Sequence, residues 1–506
     1  MQINKGNINL KEQLACVSTS MLVEGDIVLS DGCPDVAEIL CADAKAKFND
    51  TEYKNGKVIV YGCVDFSALY TPDDNCAELK KLEKTFDFSV PLEMTATKNT
   101  EFKVDVDTEH IGFTLVNSRK LSAKIMVSVK VCTYQEKCYE PIVSMEGTEA
   151  EFIEKKYNIY VPVSETTTEI ELNDLLTIPE EMADIGEILK VDAWATSGDI
   201  RVMSGKAMVQ GELHLNTIYT AQDERGSVLS VSHNVPFTEI VEAPGADEYS
   251  VVNVTFDVGK IIATIKGDLN GDTKIISLES IICACVKVSK TVSENVIDDC
   301  YFLEGKTELK EEQMSICEYI TSENARLTQR QEVSIPKNVK IDQIISCVAK
   351  PMIKNTGWEA GSAKISGVLV TYLIYRDDSD KVRCAVTESD FNWGKSVPEM
   401  CNIEASINLE DVSAAIQGNN CEILANIGLF VKALKSKQVN ILTDCSAKED
   451  DITTTQPTMV VYFTKNGDTV WDIAKKYRTR AEKIKTANNL ESEKLETGRR
   501  LLIPMK

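Results

Sequence analysis

Apolar residues recur at every second position through much of the first 445 residues. Val58 and Val60, then Val64, Phe66 and Ala68, sit two apart, which places them on one face of a pleated strand with polar neighbours on the other. The same alternation runs through KIMVSVKV from Lys124, IICACVKV from Ile281 and ILANIGLFVKAL from Ile423. Helical periodicity is scarce over this stretch. The pattern therefore predicts antiparallel β domains, sandwiches or open barrels, with strands broken by turn-rich segments such as TPDDN from Thr71, AQDERG from Ala221 and RDDSD from Arg376.

The alternation is repeated in sequence. KVIVYGCVDFSALY (57–70), KAMVQGELHLNTIY (206–219) and KISGVLVTYLIY (364–375) align without a gap, and in each a glycine is followed eight residues later by a tyrosine: Gly62 and Tyr70, Gly211 and Tyr219, Gly367 and Tyr375. Upstream, EILCADAKA, EILKVDAWA and QIISCVAKP each begin 24 residues before the glycine. One module has thus been copied three times. A glycine inside such a strand weakens it unless a bulge or a close approach needs the missing side chain, so these three are read as packing or bulge positions.

The tail reads differently. After Cys445 the acidic, threonine-rich SAKEDDITTTQPT is a linker. A short strand then ends at Asn466-Gly467, and Asp468 or Thr469 can cap a helix whose Val470, Ile473, Ala474 and Tyr477 form an apolar stripe. A second short helix holds Ile484 and Ala487, ends near Asn488-Asn489, and leads to a closing strand, Leu501 to Ile503. The fold class is mainly β: modules at 1–150, 151–310 and 311–445, a linker at 446–458, and a small strand-helix-helix-strand domain at 459–506.

The repeat resembles the SPOCS domain of clostridial and related spore formers. The tail, with its GDT triplet at Gly467 to Thr469, Ile473-Ala474, Asn488 and the L-x-I-P ending at Pro504, resembles LysM. LysM implies a shallow N-acetylglucosamine groove between the loop at Gly467, Asp468 and Thr469 and the loop at Asn488, Asn489 and Leu490. The two together resemble spore-coat morphogenetic proteins whose LysM domain engages a coat ATPase. That implies a non-enzymatic scaffold in the mother-cell cytoplasm, at the forespore surface or spore coat, with other coat proteins held by the β modules.

Charge sharpens the picture. The chain carries −24, yet residues 459–506 hold 11 Lys or Arg against 6 Asp or Glu, so a +5 tail follows a −29 body. An acidic body disfavours nucleic acid and anionic membrane as partners. Trp471 lies off the apolar stripe of its helix, and with the basic Lys475, Lys476, Arg478, Arg480, Lys483 and Lys485 it is the candidate anchor for a protein partner. The alternative is a solvated basic face and a tryptophan at the edge of a small core.

Sixteen cysteines scattered from Cys16 to Cys445, and an N-terminus without an uninterrupted apolar run, point to reduced thiols and a cytoplasmic chain without a membrane span. No catalytic pair stands out, and no cofactor or metal is expected. His110, His214 and His233 lie apart from any zinc-type cysteine spacing, and Cys283 and Cys285 share one strand face as packing thiols. Asp268, Asn270, Asp272 and Glu279 mimic a calcium loop but lack its glycine, and Asn270-Gly271 suits a hairpin turn better. Two other readings remain open: a wall or cortex protein binding peptidoglycan or another N-acetylglucosamine glycan, and a wall-targeted enzyme. Three copies suit valency better than one active site.

Overall fold

A computed structural model describes residues 2–73, 77–97, 99–147, 149–267, 271–333, 335–336, 339–418, 420–448, 457–490 and 492–505. The first module comprises β1 (Gln2–Lys5), β2 (Ile8–Val28), β3 (Val36–Lys54), β4 (Lys57–Pro72), β5 (Lys80–Glu93), β6 (Thr100–Asn117), β7 (Lys120–Tyr139) and β8 (Ile142–Glu146). The second has β9 (Ala150–Thr177), β10 (Ile185–Met203), β11 (Lys206–Ala221), β12 (Val228–Glu242), β13 (Val251–Lys266) and β14 (Ile275–Phe302). The third has β15 (Lys306–Val333), β16 (Ile341–Glu359), β17 (Ser362–Asp377), β18 (Val382–Ser396), β19 (Asn402–Gln417) and β20 (Asn420–Lys448). The tail supplies β21 (Met459–Phe463), α1 (Val470–Tyr477), α2 (Ala481–Asn488) and β22 (Arg500–Pro504). The last strand of the third module thus runs three residues into the stretch read as linker, and residues 449–456 lie outside the described ones.

Each module has one topology. A meander (β3-β4-β5, β10-β11-β12, β16-β17-β18) faces a second antiparallel sheet in which the last strand lies between the first and the fifth (β2-β7-β6, β9-β14-β13, β15-β20-β19). Alternation sets the core between them: Val58, Val60, Val64 and Phe66 of β4 meet Leu121, Ile125 and Val127 of β7. The repeat glycines occupy one place, at the centre of the meander. Gly62, Gly211 and Gly367 lie directly opposite Phe88, Phe237 and Phe391, whose rings cover them. The strand on their other side is irregular there, at Phe48/Asp50, Ser197/Ile200 and Ile353/Asn355. A Cβ on any of the three would collide with both a phenylalanine ring and a backbone carbonyl. Tyr70, Tyr219 and Tyr375 are all fully buried, and the first two donate to the Pro34 and Ala183 carbonyls at 3.3 and 3.4 Å.

The first and last strands of each module continue past the sandwich as a two-stranded ribbon. In the second module residues 150–162 of β9 pair with residues 289–302 of β14; in the first the ribbon is interrupted, and β1 pairs with β8. Two-stranded ribbons are marginal in water, and here the three bury their apolar faces on one another. Ile8, Leu10, Tyr139, Tyr157, Ile159, Val296, Met314, Ile316, Val439 and Ile441 form one core drawn from all three modules. Nearer the tips each ribbon carries a single bulge, which aligns Ile142, Ile297 and Leu442, then Met145, Cys300 and Cys445, as two buried triplets.

A second convergence lies at the other end of the sandwiches, where Leu69, Ile218 and Ile374, equivalent residues of the three central meander strands, meet Leu40, Leu189 and Ile345. Between the two ends the contacts run in a circle. Lys45 of β3 bonds Asp257 and the Val258 carbonyl of β13 at 2.7 and 2.8 Å. Trp194, at the equivalent place on β10, packs with Ile407 and Leu409 of β19, and Lys350 of β16 returns to Asp43 at 2.6 Å. The modules form a closed, pseudo-threefold ring. Buried polar groups fix its register: Arg376 is bidentate on Glu78 (2.7 and 2.9 Å), Asn216 donates to Ser346 (2.9 Å), and Lys190 lies between Asp192 (2.7 Å) and Asp43 (3.6 Å).

Several residues singled out in the sequence have ordinary places here. His214 stacks on Trp194 and bonds Thr196 and Asn234 at 3.0 Å each, His233 contacts the Thr177 carbonyl, and His110 lies on β6. Cys283 and Cys285 do share a face of β14, but it is the half-buried outer face, because Ile282, Ala284 and Val286 take the core. Asp268 and Asn270 lie outside the described residues, and Glu279 is paired within β14. Cys16 and Cys132 are disulfide-linked across β2 and β7; thirteen other cysteines are free among the described residues.

Two predictions follow from this packing. Gly211→Ala should cost about 1–3 kcal/mol in denaturant unfolding. Phe237→Leu should not rescue it, because a Cβ there still lies 2.7 Å from the Thr196 carbonyl oxygen; full rescue would make the ring the sole obstacle. The second concerns Asp43. Burial works to raise its pKa, but Lys350 and Lys190 outweigh burial and hold it below its ordinary 3.8. A carboxyl depressed in the folded state contributes stability that is present above its unfolded pKa and lost as pH falls through the folded one. The stability gap between wild type and Asp43→Asn should therefore be widest near neutrality and shrink below pH 3.8, and parallel pH profiles would show that the ring does not use this charge.

Candidate docking site on the C-terminal domain

The tail folds around a small core. Thr469 caps α1 by accepting from the Asp472 amide at 3.1 Å while Asp472 accepts from the Thr469 amide at 3.2 Å, so two free helix-end donors are satisfied reciprocally. Val470, Ile473 and Ala474 then point inward to Ile484, Leu501 and Ile503, as the stripe requires. Trp471 and Lys475, one turn apart, share the flank of α1 beside that stripe.

That flank is occupied by the chain itself. The β14 bulge sets Asp299 and Tyr301 on one side of the ribbon tip, with Cys300 turned into the three-ribbon core. Asp299 accepts from the Trp471 indole at 2.8 Å and from Lys475 Nζ at 2.6 and 2.7 Å. The Tyr301 ring meets the Trp471 ring edge-on at 4.9 Å, and its hydroxyl donates to the Thr479 carbonyl at 2.7 Å. Burial, reinforced by Glu151, pushes the Tyr301 phenol well above its usual range, so it stays a donor. Arg480 lies 3.6 Å from Glu151. The opposite charges of tail and body are thus partly matched within one molecule, and Trp471 is an anchor whose socket is the second module.

The other basic residues have their own settings: Lys476 sits over the Tyr462 and Tyr477 rings, and Lys485 pairs with Glu482 and Glu493 at 3.0 and 2.6 Å. The first groove loop lies against the stretch that follows the second, since the Val470 amide donates to the Glu493 carbonyl at 3.1 Å and Thr469 bridges to Lys494. Gly467 is exposed with φ +89°, and Asn489 is exposed in the left-handed region that closes α2. Asp468 accepts from the Lys465 amide and the Tyr462 hydroxyl, both at 2.8 Å, which holds its carboxyl below the usual range. Leu490 is half-buried against the domain core. Asn488 is structural: its amide donates to the Ile484 and Leu502 carbonyls (2.8 and 2.6 Å) and its oxygen accepts from the Leu502 amide (2.7 Å).

A surface absent from the sequence reading lies on the side of the β21-β22 sheet away from the helices. Met459, Val461 and Phe463 project there, 53, 52 and 62% exposed, opposite Pro504, Leu502 and Arg500. The signal was the run MVVYF: a strand covered on one face only should alternate with polar residues, and this one is apolar at both parities.

Residues 35–116 and 184–266 match the SipL SPOCS-domain family, and residues 462–504 match the LysM domain. The chain carries two SPOCS-type segments and a C-terminal LysM domain. It resembles SipL in that combination. The SPOCS matches span β3 to β6 and β10 to β13, the meander plus the fifth strand; β16 to β19 repeat the same strand order in the third module. No curated protein and no solved structure matches the chain. SPOCS and LysM together support a role in sporulation. Among the described residues no helix is long and apolar enough to cross a membrane.

If Asn488 serves the LysM fold rather than a ligand, Asn488→Ala should lower the melting stability of residues 459–506. Hydrogen exchange should show the loss over α2 and β22, at about 1–3 kcal/mol for buried amide groups left without partners. Unchanged protection there would return Asn488 to the groove.

Proposed function

We propose that this chain is a non-enzymatic scaffold of spore-coat assembly, a closed three-module body that presents LysM to a coat morphogenetic protein of the ATPase type. The observation that carries the reading is the outer LysM face. Met459, Val461 and Phe463 leave an apolar strip in water, beside exposed Lys465, Arg499 and Arg500. An isolated exposed apolar residue is ordinary; a contiguous strip with a charged rim suits a protein interface. Its chemistry fits an acidic, apolar segment of the partner. The work belongs in the mother-cell cytoplasm, at the forespore surface, with the β modules free to hold other coat proteins.

One observation favours a second reading, N-acetylglucosamine glycan binding: Gly467 and Asn489, one from each groove loop, are both exposed. The two readings separate experimentally. Val461→Lys with Phe463→Asp should reduce capture of the ATPase from sporulating cells by about thirtyfold, the effect of losing about 2 kcal/mol from an aromatic anchor. Binding of N-acetylglucosamine oligomers should be unchanged. Undiminished capture by the folded variant would remove the outer face from the reading, and tight oligomer binding with no ATPase captured by wild type would establish the glycan function instead.

A further inference from the structure

The three ribbon tips are equivalent in backbone and different in side chains. Aligned on their bulges, the two positions that face away from the three-ribbon core are Ser144 and Glu146 in the first module, Asp299 and Tyr301 in the second, and Asp444 and Ser446 in the third. LysM sits on the second. That tip alone pairs an acid with an aromatic two residues later, and these two side chains contact α1 and the turn after it: Asp299 with Trp471 and Lys475, and Tyr301 with the Trp471 ring and the Thr479 carbonyl. The carboxylate needs both an N–H donor and a cation one helical turn apart, and the ring needs the indole edge beside them. α1 supplies all three from a single flank.

We infer that the Trp471–Lys475 flank of LysM is a recognition site for an extended segment carrying an acidic residue and, two positions on, an aromatic, and that Asp299–Tyr301 holds this site as an internal latch. A partner presenting the same acid-x-aromatic pair on an exposed strand is the occupant the site fits, and it binds by displacing the latch. The contact is suited to exchange. Its core comes from one short stretch of β14, with Glu151 of β9 adding a 3.6 Å contact to Arg480, and its ion pair stays partly in water, with Lys475 36% and Asp299 23% exposed. Ten residues separate Lys448 from Met459. A tether of that length sets an effective concentration on the order of 1 mM, so the latch suppresses weak ligands and yields to strong ones. The inference goes beyond the outer-face docking proposed above, which uses the opposite side of the domain.

The test uses the full chain and a labelled peptide spanning its own residues 295–303 with Cys300→Ser. Fluorescence anisotropy should show the peptide binding at least about tenfold tighter to the double variant Asp299→Ala, Tyr301→Ala than to wild type. Adding Trp471→Ala to the double variant should abolish that binding. Hydrogen exchange over residues 470–477 should be faster in the double variant and slow again with peptide. Because Tyr301 is buried, Asp299→Asn serves as a milder variant and should bind the peptide with intermediate affinity. Equal binding by wild type and both variants would overturn the latch. So would the absence of binding to variants whose α1 remains helical by circular dichroism, which would leave the contact as packing only. Sedimentation should find wild type monomeric; a dimer that dissociates with Asp299→Asn would overturn the internal latch in favour of exchange between copies. None of these readouts depends on Val461 or Phe463, so their failure leaves the outer-face reading standing.

Discussion

The constraint on which the rest of the molecule depends is that a two-stranded β ribbon cannot bury its apolar face alone. Each module extends its first and last strands well beyond its sandwich, to 28 residues in β9 and β14. An isolated ribbon of that kind would expose Tyr157, Ile159 and Val296, or their equivalents, to water. Each such side chain is worth about 1.5–3 kcal/mol when buried. Packing three ribbons together removes the penalty for all of them at once, which explains why the hub core draws on every module while the main sandwich cores of the first and second modules are private.

Closure at the hub dictates the geometry elsewhere. With the ribbons gathered at one end, the meanders are brought together at the other, and the clustering of Leu69, Ile218 and Ile374 follows. Charged groups between these two ends are then desolvated, so they survive only as partners: Glu78 with Arg376, Asp43 with Lys190 and Lys350. Such pairs stabilise less through net energy than through register, since breaking one leaves a charge buried without a mate. The same closure turns the ribbon tips outward on one side, where a tail leaving β20 can reach them.

The repeat was legible because it lies in the central strand of each meander, where Gly62, Gly211 and Gly367 are constrained by contacts inside their own module. Phenylalanine and bulge recur with the glycine, so sequence spacing alone preserves the pattern. The ring was not legible. Its contacts join residues such as Ile8, Tyr157 and Met314, far apart in sequence, and each looks locally like any half-exposed strand residue. At the tail the angular argument correctly placed Trp471 off the apolar stripe, since a helix fixes direction at 100° per residue. What fills that direction is Asp299 and Tyr301, brought there by the bulge in β14, and a single bulge has no sequence signature. The outer strip at Met459, Val461 and Phe463 was visible as a failure of alternation, a cue that carries weight only once the helices are known to cover the other face.

Three copies of a module suggest three equivalent binding surfaces, and the ring argues against that use. The surfaces the copies share most closely are those they spend on one another: the ribbon faces and the ends of the meanders. What remains outside is where the copies have diverged, Ser144 and Glu146 against Asp299 and Tyr301 against Asp444 and Ser446 at the tips. Selection for valency would keep the outer faces alike and leave the inner ones to drift. The observed pattern is the reverse, so the triplication is better understood as the way a chain of small sandwiches acquires a shared core, with individuality kept for the tip that meets LysM.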